Sequence, residues 1–182
     1  MTNEIQLRDA DPDDAAVIAA LHVESWRSAY RGILPDAYLD GEVEPERRAH
    51  WELTLSSLDA KDMIVLAERS SELIGFASVY WGKEAGFDGY LDNLHVRPGL
   101  RGAGLGKLFL GHAVERLIAN GAESLCLWAF DDNEGAIRFY QRLGGKLTDR
   151  GFDDIGGGHA AHTRIEWHDL PALLDACNGK TA

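Results

Sequence analysis

Apolar residues change their spacing along the chain and so mark strands and helices in turn. Short alternating or β-branched runs predict strands at residues 5–7, 63–68, 73–81, 90–96, 124–130, 146–150 and 161–167. Helical spacing predicts helices from residue 11 to about 30, in one or two pieces between 35 and 58, from the glycine-rich turn to about 120, and over 134–143 and 169–176. This order predicts an α+β fold on a mixed, mostly antiparallel sheet, and it does not fit a doubly wound fold.

Composition places the chain among globular proteins and excludes several classes of partner. Its 182 residues are 45% hydrophobic and 26% charged, without repeats or a Pro/Ser-rich linker, so we expect one domain over 1–182. The net charge of −12 argues against nucleic-acid binding and is compatible with a cationic substrate. The longest apolar run, 125–130, is too short for a membrane span, and the N-terminus has no apolar signal core. We expect a cytoplasmic protein without a membrane partner. The sequence does not decide whether the protein is a monomer or a homodimer.

A glycine-rich turn at residues 96–107, between a predicted strand and a predicted helix, is the segment with the clearest chemistry. Glycines leave backbone N–H groups free, and a helix N-terminus adds partial positive charge, so the turn can cradle phosphate groups. A P-loop requires Gly-x-x-x-x-Gly-Lys-Ser/Thr, but Leu108 follows Lys107 and Arg101 replaces the first glycine. A dinucleotide fingerprint requires Gly-x-Gly-x-x-Gly in a first βαβ unit, and both spacing and position differ here.

The same turn matches a third pattern. Arg101-Gly102-Ala103-Gly104-Leu105-Gly106 fits Arg/Gln-x-x-Gly-x-Gly/Ala, and with this motif the chain resembles the GNAT superfamily of N-acetyltransferases. Downstream, Asn133-x-x-Ala136-Ile137-x-x-Tyr140-x-x-Leu143-Gly144 resembles the family's Asn-to-Tyr helix, with Asn133 and Tyr140 two turns apart on one face. The resemblance covers residues 63–147 and, through the order of elements, most of the remaining chain. It implies a GNAT-like sheet flanked by helices on both faces.

The resemblance also implies a role for each matched position. Acetyl-CoA would be the co-substrate, with its pyrophosphate held by backbone N–H groups of the turn. The strand before the turn would pair its main chain with the pantetheine arm, like an added strand. Tyr140 would protonate the departing thiolate, and Asn133 would contact the cofactor near the pantetheine. The cofactor-binding residues implied in this way are Leu94, His95, Val96, Arg101, Gly102, Ala103, Gly104, Leu105, Gly106, Lys107, Asn133 and Tyr140.

The group that accepts the amine proton is marked less clearly. Some GNAT enzymes carry a glutamate at one of two strand positions, which are Tyr90 and Trp128 in this chain. Asp92 is the best substitute because it shares a strand face with Tyr90, although an exposed strand carboxylate is also ordinary. The weaker candidates are His95, His159 and His162. No spacing of ligands predicts a metal site, so we expect a reaction without a metal.

Trp26 and Tyr30 are the candidates for acceptor binding, because their segment resembles the first-helix region of many GNAT enzymes. Their four-residue spacing puts both on one helix face, as a wall of an amine pocket or as ordinary core contacts. The expected function is transfer of an acetyl group from acetyl-CoA to a primary amine of a small molecule or protein, directly and within a ternary complex. The alternative is an acyl-CoA-binding sensor without catalysis, against which the retained Tyr140 weighs.

Overall fold

The structure is a computed structural model that describes residues 4–179. Its strands are β1 (Ile5–Asp9), β2 (Met63–Arg69), β3 (Glu72–Trp81), β4 (Gly89–Val96), β5 (Leu125–Phe130), β6 (Lys146–Ile155) and β7 (Gly158–Trp167). Its α-helices are α1 (Ala15–Ala29), α2 (Asp36–Asp40), α3 (Val43–Ser56), α4 (Leu105–Ala119), α5 (Glu134–Arg142) and α6 (Leu170–Cys177). The α+β fold expected from the sequence is confirmed.

One sheet contains all seven strands, in the order β1-β2-β3-β4-β5-β7-β6. Every neighbouring pair is antiparallel except β4 and β5, which run parallel. These two strands pair only through Gly89 with Leu125 and Tyr90 with Cys126. Beyond that point they separate, so the main chain of residues 91–96 is unpaired on the side of β5. The sheet therefore opens in its middle instead of at an edge.

Helices cover both faces of the sheet. On one face, α4 and α6 contribute Phe109, Val114 and Leu173 to the largest apolar cluster. On the other face, α1 and α3 pack Ile18 and Trp51 against the strands, and both side chains are fully buried. Each such side chain contributes about 1.5–3 kcal/mol through burial, so this packing fixes where α1 and α3 lie relative to β4. No helix within residues 4–179 has the length and hydropathy needed to span a membrane.

The hairpin of β6 and β7 is longer than the sequence predicted. The expected strands ended at residue 150 and began at 161, whereas the observed strands continue to a two-residue turn at Gly156-Gly157. Both glycines have positive φ, +58° and +77°, a combination that suits a tight hairpin and favours glycine. The prediction failed because β6 is an exposed edge strand without apolar alternation. The extension brings Asp153 and His162 to the sheet's central opening.

Candidate active site

A cavity of about 820 Å³ lies where β4 and β5 separate. Its wall comes from β4, the turn that follows it, α1, α3, α5 and the β6–β7 hairpin. The cavity brings together most of the residues selected from the sequence: Trp26, Tyr30, Asp92, Leu94, His95, Val96, Arg101, Gly102, Gly104, Gly106, Lys107, Asn133 and Tyr140. It does not include Ala103, which is exposed, or Leu105, whose side chain is buried in the core beneath α4.

The turn between β4 and α4 presents a helix N-terminus that no side chain caps. Gly102 and Gly104 have φ values of +83° and +86°, a region that favours glycine. A Cβ atom at either position would have no neighbour within 4 Å, so the space before the turn is open. The first N–H groups of α4 have no intrahelical acceptor, and Arg101 and Lys107 add positive charge on the same wall. These residues fit the pyrophosphate of coenzyme A.

A β-bulge in β4 shapes the middle of the cavity. Ser78 pairs with Asn93 and Val79 with Leu91, so Asp92 is the extra residue. The bulge lets two successive side chains meet, because Asn93 Nδ2 donates to Asp92 Oδ2 at 2.8 Å. The same Nδ2 also donates to Ser78 Oγ at 2.9 Å, within the buried part of the sheet. The Asp92 carboxylate is thereby fixed at the point where β4 and β5 begin to separate.

Asp92 has a cation on its other side. Its Oδ1 lies 3.4 Å from Lys83 Nζ, and its side chain is 23% exposed, so solvent reaches the carboxylate. Burial and the Asp92 carboxylate together raise the pKa of Tyr90 above its usual value. Tyr90 therefore stays protonated at neutral pH and does not take the part of the glutamate that it replaces. Of the groups on this strand, Asp92 alone combines access to the cavity with a basic oxygen.

Tyr140 lies on α5, and its side chain is almost fully buried. Burial raises its pKa above the usual value, and the neighbouring Tyr30 adds to the effect. Burial also raises the pKa of Tyr30, to about 12. Both phenols are therefore protonated at neutral pH and line the cavity as hydrogen-bond donors.

Asn133 begins α5 and serves as its cap. Its Oδ1 accepts a hydrogen bond from Ala136 N at 3.3 Å, which satisfies one free donor of the helix. The side-chain amide also contains two N–H donors, and Asn133 lies on the cavity wall. The capping role that the sequence allowed is therefore real, and it leaves the Nδ2 group available to a ligand.

His95 has two different surroundings. Its main chain belongs to the unpaired edge of β4, whereas its ring points into the layer beneath α1. There Nδ1 shares a hydrogen bond of 2.9 Å with Ser25 Oγ, and the ring centroid lies 4.5 Å from that of His22. Burial, with the Arg101 and Arg47 charges, lowers the pKa of His95 to about 3. An imidazole that binds a proton so weakly is a poor base at neutral pH.

The remaining wall is formed by side chains from α1, α3 and the β6–β7 hairpin. Trp26 and Tyr30 contact each other edge to face with ring centroids 5.4 Å apart, and Trp26 is also a member of a core cluster. The rings therefore pack in the core and also line the cavity, and that they bind an amine stays a prediction.

Sequence reasoning missed two features of this wall. Arg47 on α3 reaches the cavity, but nothing in the sequence separates it from its neighbour Arg48. His162 Nδ1 lies 2.9 Å from Asp153 Oδ2, and its ring centroid is 4.4 Å from that of Trp128. The pairing became visible only with the longer hairpin. Residues 4–179 contain no group of three or more His, Cys, Asp or Glu side chains suited to a metal ion.

A comparison with family models decides the family. The model described as the acetyltransferase (GNAT) family matches residues 22–145, which include β4, the glycine-rich turn and α5. The chain belongs to the GNAT family of acetyltransferases. The resemblance noted in the glycine-rich turn and the Asn-to-Tyr helix is thereby confirmed, as is the expectation of an acetyltransferase.

Relatives of the GNAT family resemble the chain over nearly its whole length. It is 28% identical over 176 residues to the uncharacterized N-acetyltransferase YuaI of Bacillus subtilis. The alignment covers 96% of this chain and 99% of YuaI. The PaiA N-acetyltransferase of Thermoplasma acidophilum, solved with coenzyme A, has a TM-score of 0.71 at 21% identity, covering 90% of this chain and 99% of PaiA. YncA of Salmonella typhimurium, a putative acetyltransferase solved with acetyl-CoA, has a TM-score of 0.65 at 21% identity. That match covers 91% of this chain and 94% of YncA. At these identities the two structures show a common fold.

Proposed function

We propose that this acetyltransferase transfers the acetyl group of acetyl-CoA directly to a primary amine within a ternary complex. The observation that carries the proposal is the continuity of the cavity. It runs from the uncapped N-terminus of α4, along the open edge of β4, to the side chains of α1 and the β6–β7 hairpin. Its volume of about 820 Å³ lies within the range of ligand pockets. Two substrates can therefore meet in it without leaving the protein.

Acetyl-CoA would be held mainly by the main chain. The N–H groups at the start of α4, with Arg101 and Lys107, would bind the pyrophosphate. The free edge of residues 91–96 would pair with the extended pantetheine arm. The Asn133 amide would donate to the arm near its thiol end. This binding mode depends on backbone conformation, and it is supported by the open space that Gly102 and Gly104 maintain.

The chemical step needs a neutral amine and a way to release the thiolate. The amine nitrogen attacks the thioester carbonyl, so that a C–N bond forms and the C–S bond breaks. Main-chain N–H groups on the open edge of β4 would stabilise the charge that develops on the carbonyl oxygen. Tyr140 would give its proton to the sulfur. The amine proton would pass to Asp92, directly or through water, and from there through solvent to Tyr140.

Burial suits Tyr140 to this role despite its raised pKa. A phenol in ordinary surroundings has a pKa near 10, and burial moves that of Tyr140 further up. The same lack of solvent raises the proton affinity of a thiolate formed beside it. Proton transfer to sulfur is therefore coupled to C–S cleavage, and Tyr140 remains a donor over the whole neutral range.

Asp92 is favoured over His95 as the proton acceptor. A lysine-like amine has a pKa of about 10.4 and is almost fully protonated at neutral pH. Burial keeps His95 from accepting its proton, whereas Asp92 is reached by solvent and fixed by Asn93 and Lys83. A carboxylate with a water beside it can serve as the base that Tyr90 and Trp128 do not provide.

The proposal is tested by incubating the full chain with acetyl-CoA and a panel of amines, with free thiol as the readout. The panel contains polyamines, amino acids, amino sugars and peptides with free N-termini. Thiol release without an acceptor gives the hydrolysis background, and mass spectrometry of the acceptor identifies the amide. We expect release above background with at least one class. Tight coenzyme A binding in calorimetry without acetylation of any amine would support the sensor instead.

A further inference from the structure

Two buried donors on the cavity wall lack an acceptor within residues 4–179. They are Nε of Arg47 and Nε1 of Trp26. Both groups can only donate hydrogen bonds. They lie together, because Arg47 Cζ is 4.9 Å from the centroid of the Trp26 ring. Leaving a buried donor unsatisfied costs about 1–3 kcal/mol. Both atoms are shielded by the protein, so a ligand in the cavity would meet Arg47 through its terminal Nη1 and Nη2 groups, which donate to no protein acceptor within residues 4–179.

Arg47 differs from the arginines around it. Arg27 pairs with Glu44, Arg31 with Asp36 and Asp40, and Arg48 with Glu52. No carboxylate within residues 4–179 lies within ion-pair distance of the Arg47 guanidinium, although the chain has 30 acidic residues. Its closest acidic neighbour in sequence, Glu46, instead accepts a hydrogen bond from Tyr38 at 2.6 Å. The positive charge of Arg47 is therefore available to the cavity.

Arg47 lies on the acceptor side of the cavity. It extends from α3, and both its charge and that of Asp92 act on His50: burial and Arg47 lower the pKa of His50, and Asp92 opposes them. Arg47 and Asp92 thus share one neighbourhood near the centre of β4, and Arg47 also acts, with Arg101, on His95 further along the strand. The pyrophosphate turn lies after the end of that strand and has its own cations, Arg101 and Lys107.

We propose that the acceptor carries an anionic group, a carboxylate or a phosphate, in addition to its amine, and that Arg47 binds this group. The terminal nitrogens of the guanidinium offer two N–H groups to a planar anion, and the guanidinium lies over the Trp26 ring. Asp92 receives the amine from the other side. The inference rests on the proposed N-acetyltransferase function and narrows it to amino acids and similar zwitterions, at the expense of polyamines.

Matched acceptor pairs test the role of the anionic group. Glycine is compared with glycinamide, leucine with leucinamide, 4-aminobutyrate with its amide, and phosphoethanolamine with ethanolamine. Converting an α-carboxylate to an amide lowers the pKa of the neighbouring amine, so more of the amide is in the reactive neutral form. A preference for the α-amino acids therefore cannot arise from amine reactivity. We expect at least one acidic acceptor to have the higher kcat/KM, and the fourth pair separates phosphate from carboxylate.

Substitutions of Arg47 test whether this residue causes the preference for acidic acceptors. Arg47→Gln should lower kcat/KM for the preferred acidic acceptor about 10- to 100-fold, mainly through KM, and leave its amide partner unchanged. Arg47→Lys should keep part of the preference because it retains the charge without the planar fork. Arg48→Gln is the control, since Arg48 is the adjacent residue on α3 and is 67% exposed. Thermal unfolding verifies that each variant is folded.

The outcomes separate the two proposals. Equal losses on acid and amide, a wild type that prefers amides or polyamines, or a raised KM for acetyl-CoA in Arg47→Gln would each overturn the role of Arg47 and leave acetyl transfer standing. A wild type that releases no thiol above the hydrolysis background with any amine of the panel would overturn the proposed function itself. Preference for an acidic acceptor, lost in Arg47→Gln and kept in Arg48→Gln, would establish the inference.

Discussion

The two halves of the cavity are built from different parts of the chain. The half proposed to bind acetyl-CoA, the cofactor half, presents mainly main chain: the edge of β4, the turn at Gly102 and Gly104, and the first N–H groups of α4. The half proposed to bind the amine, the acceptor half, presents side chains from separate elements, with Arg47 from α3 and His162 from β7. Main-chain groups are the same in every protein, whereas side chains can be exchanged one at a time. Under the proposed function, the cofactor half can therefore stay constant while substitutions in the acceptor half change the substrate.

The first test of this comparison is at Tyr140, the side chain proposed to protonate the thiolate of the cofactor. Tyr140→Phe keeps the ring and its packing and removes the proton, so kcat should fall by about 100-fold or more. Coenzyme A affinity should change little, because the binding groups are main chain. Stopped-assay kinetics and calorimetry measure the two quantities on the same preparation.

Tyr30→Phe is the matched control for this experiment. Tyr30 is partly buried, also has a raised pKa and also lines the cavity, but it lies at the C-terminal end of α1. A loss in kcat confined to Tyr140→Phe supports its role as the acid. Wild-type turnover in Tyr140→Phe, or an equal loss in both variants, would remove Tyr140 from the proton transfer.

The second test addresses the backbone cradle directly. Gly104→Glu should weaken coenzyme A binding by at least about tenfold, because a carboxylate would stand against the pyrophosphate and the position requires a left-handed backbone. Gly86→Glu is the control, since Gly86 has φ of +87°, no neighbour within 4 Å of a Cβ and a place away from the cavity wall. Calorimetry on both variants shows whether a loss of affinity is specific to the turn, because the two substitutions add the same charge and similar backbone strain. Unchanged affinity in a folded Gly104→Glu protein would reject the cradle.

The difference between the halves also explains which features the sequence could predict. A binding site made of main chain needs glycine at fixed spacing, so residues 101–106 form a pattern that can be recognised in the sequence. The helix from Asn133 to Tyr140 is also a contiguous pattern and can be recognised in the same way. The order of strands and helices along the chain could be predicted because a continuous apolar run marks a buried strand such as β2. The bounds of most helices and strands agree with the prediction to within a few residues.

The acceptor half could not be predicted because its residues meet only through tertiary structure. Arg47 and Arg48 are adjacent and chemically identical, and only the packing of α3 against α1 decides which one faces the cavity. The Asp153 and His162 pair depends on the register of a hairpin whose exposed edge carries no apolar pattern. The bulge at Asp92 depends on pairing between two strands, which a single strand's sequence does not specify.

The third test concerns the boundary between the halves, at Asp92. If Asp92 accepts the amine proton, Asp92→Asn should lower kcat about five- to tenfold at pH 7, since water can replace it in part. The loss should shrink as pH rises, because more of the amine is already neutral. Coenzyme A affinity should stay the same. The measurement is a pH–rate profile of the variant beside the wild type.

Asp153→Asn separates proton transfer from simple attraction of a cation. Asp153 is another carboxylate on the cavity wall, on β6 and paired with His162. A general loss of negative charge would raise KM in both variants with kcat little changed. Recovery at high pH in Asp92→Asn alone supports the base. Parallel profiles with equal kcat would leave solvent as the proton acceptor.

The smallest expected effect concerns His95, whose main chain belongs to the cofactor half and whose ring packs under α1 with His22. Burial lowers the pKa of both rings, that of His95 to about 3, while an unfolded histidine has a pKa near 6.5. The unfolded chain therefore binds more protons below pH 6.5, and the folded state loses stability as the pH falls, by up to about 1.4 kcal/mol per pH unit for each ring. Above pH 6.5 neither ring contributes to the slope.

Denaturant unfolding of wild type and His95→Gln at intervals from pH 6.5 to 5.0 measures this slope. The window avoids the depressed carboxylates: Arg8 lowers the pKa of Asp14 below its usual value, so that ion pair loses stability only below about pH 4. We expect a shallower slope in His95→Gln, by about 1 kcal/mol per pH unit, because His22 still contributes.

Coenzyme A affinity at pH 7 should change by less than about twofold, since the variant keeps the main chain that would pair with the cofactor. An unchanged slope would mean that the His95 ring is protonated in the folded state. A large loss of affinity would mean that the cofactor half depends on the side chains beneath it.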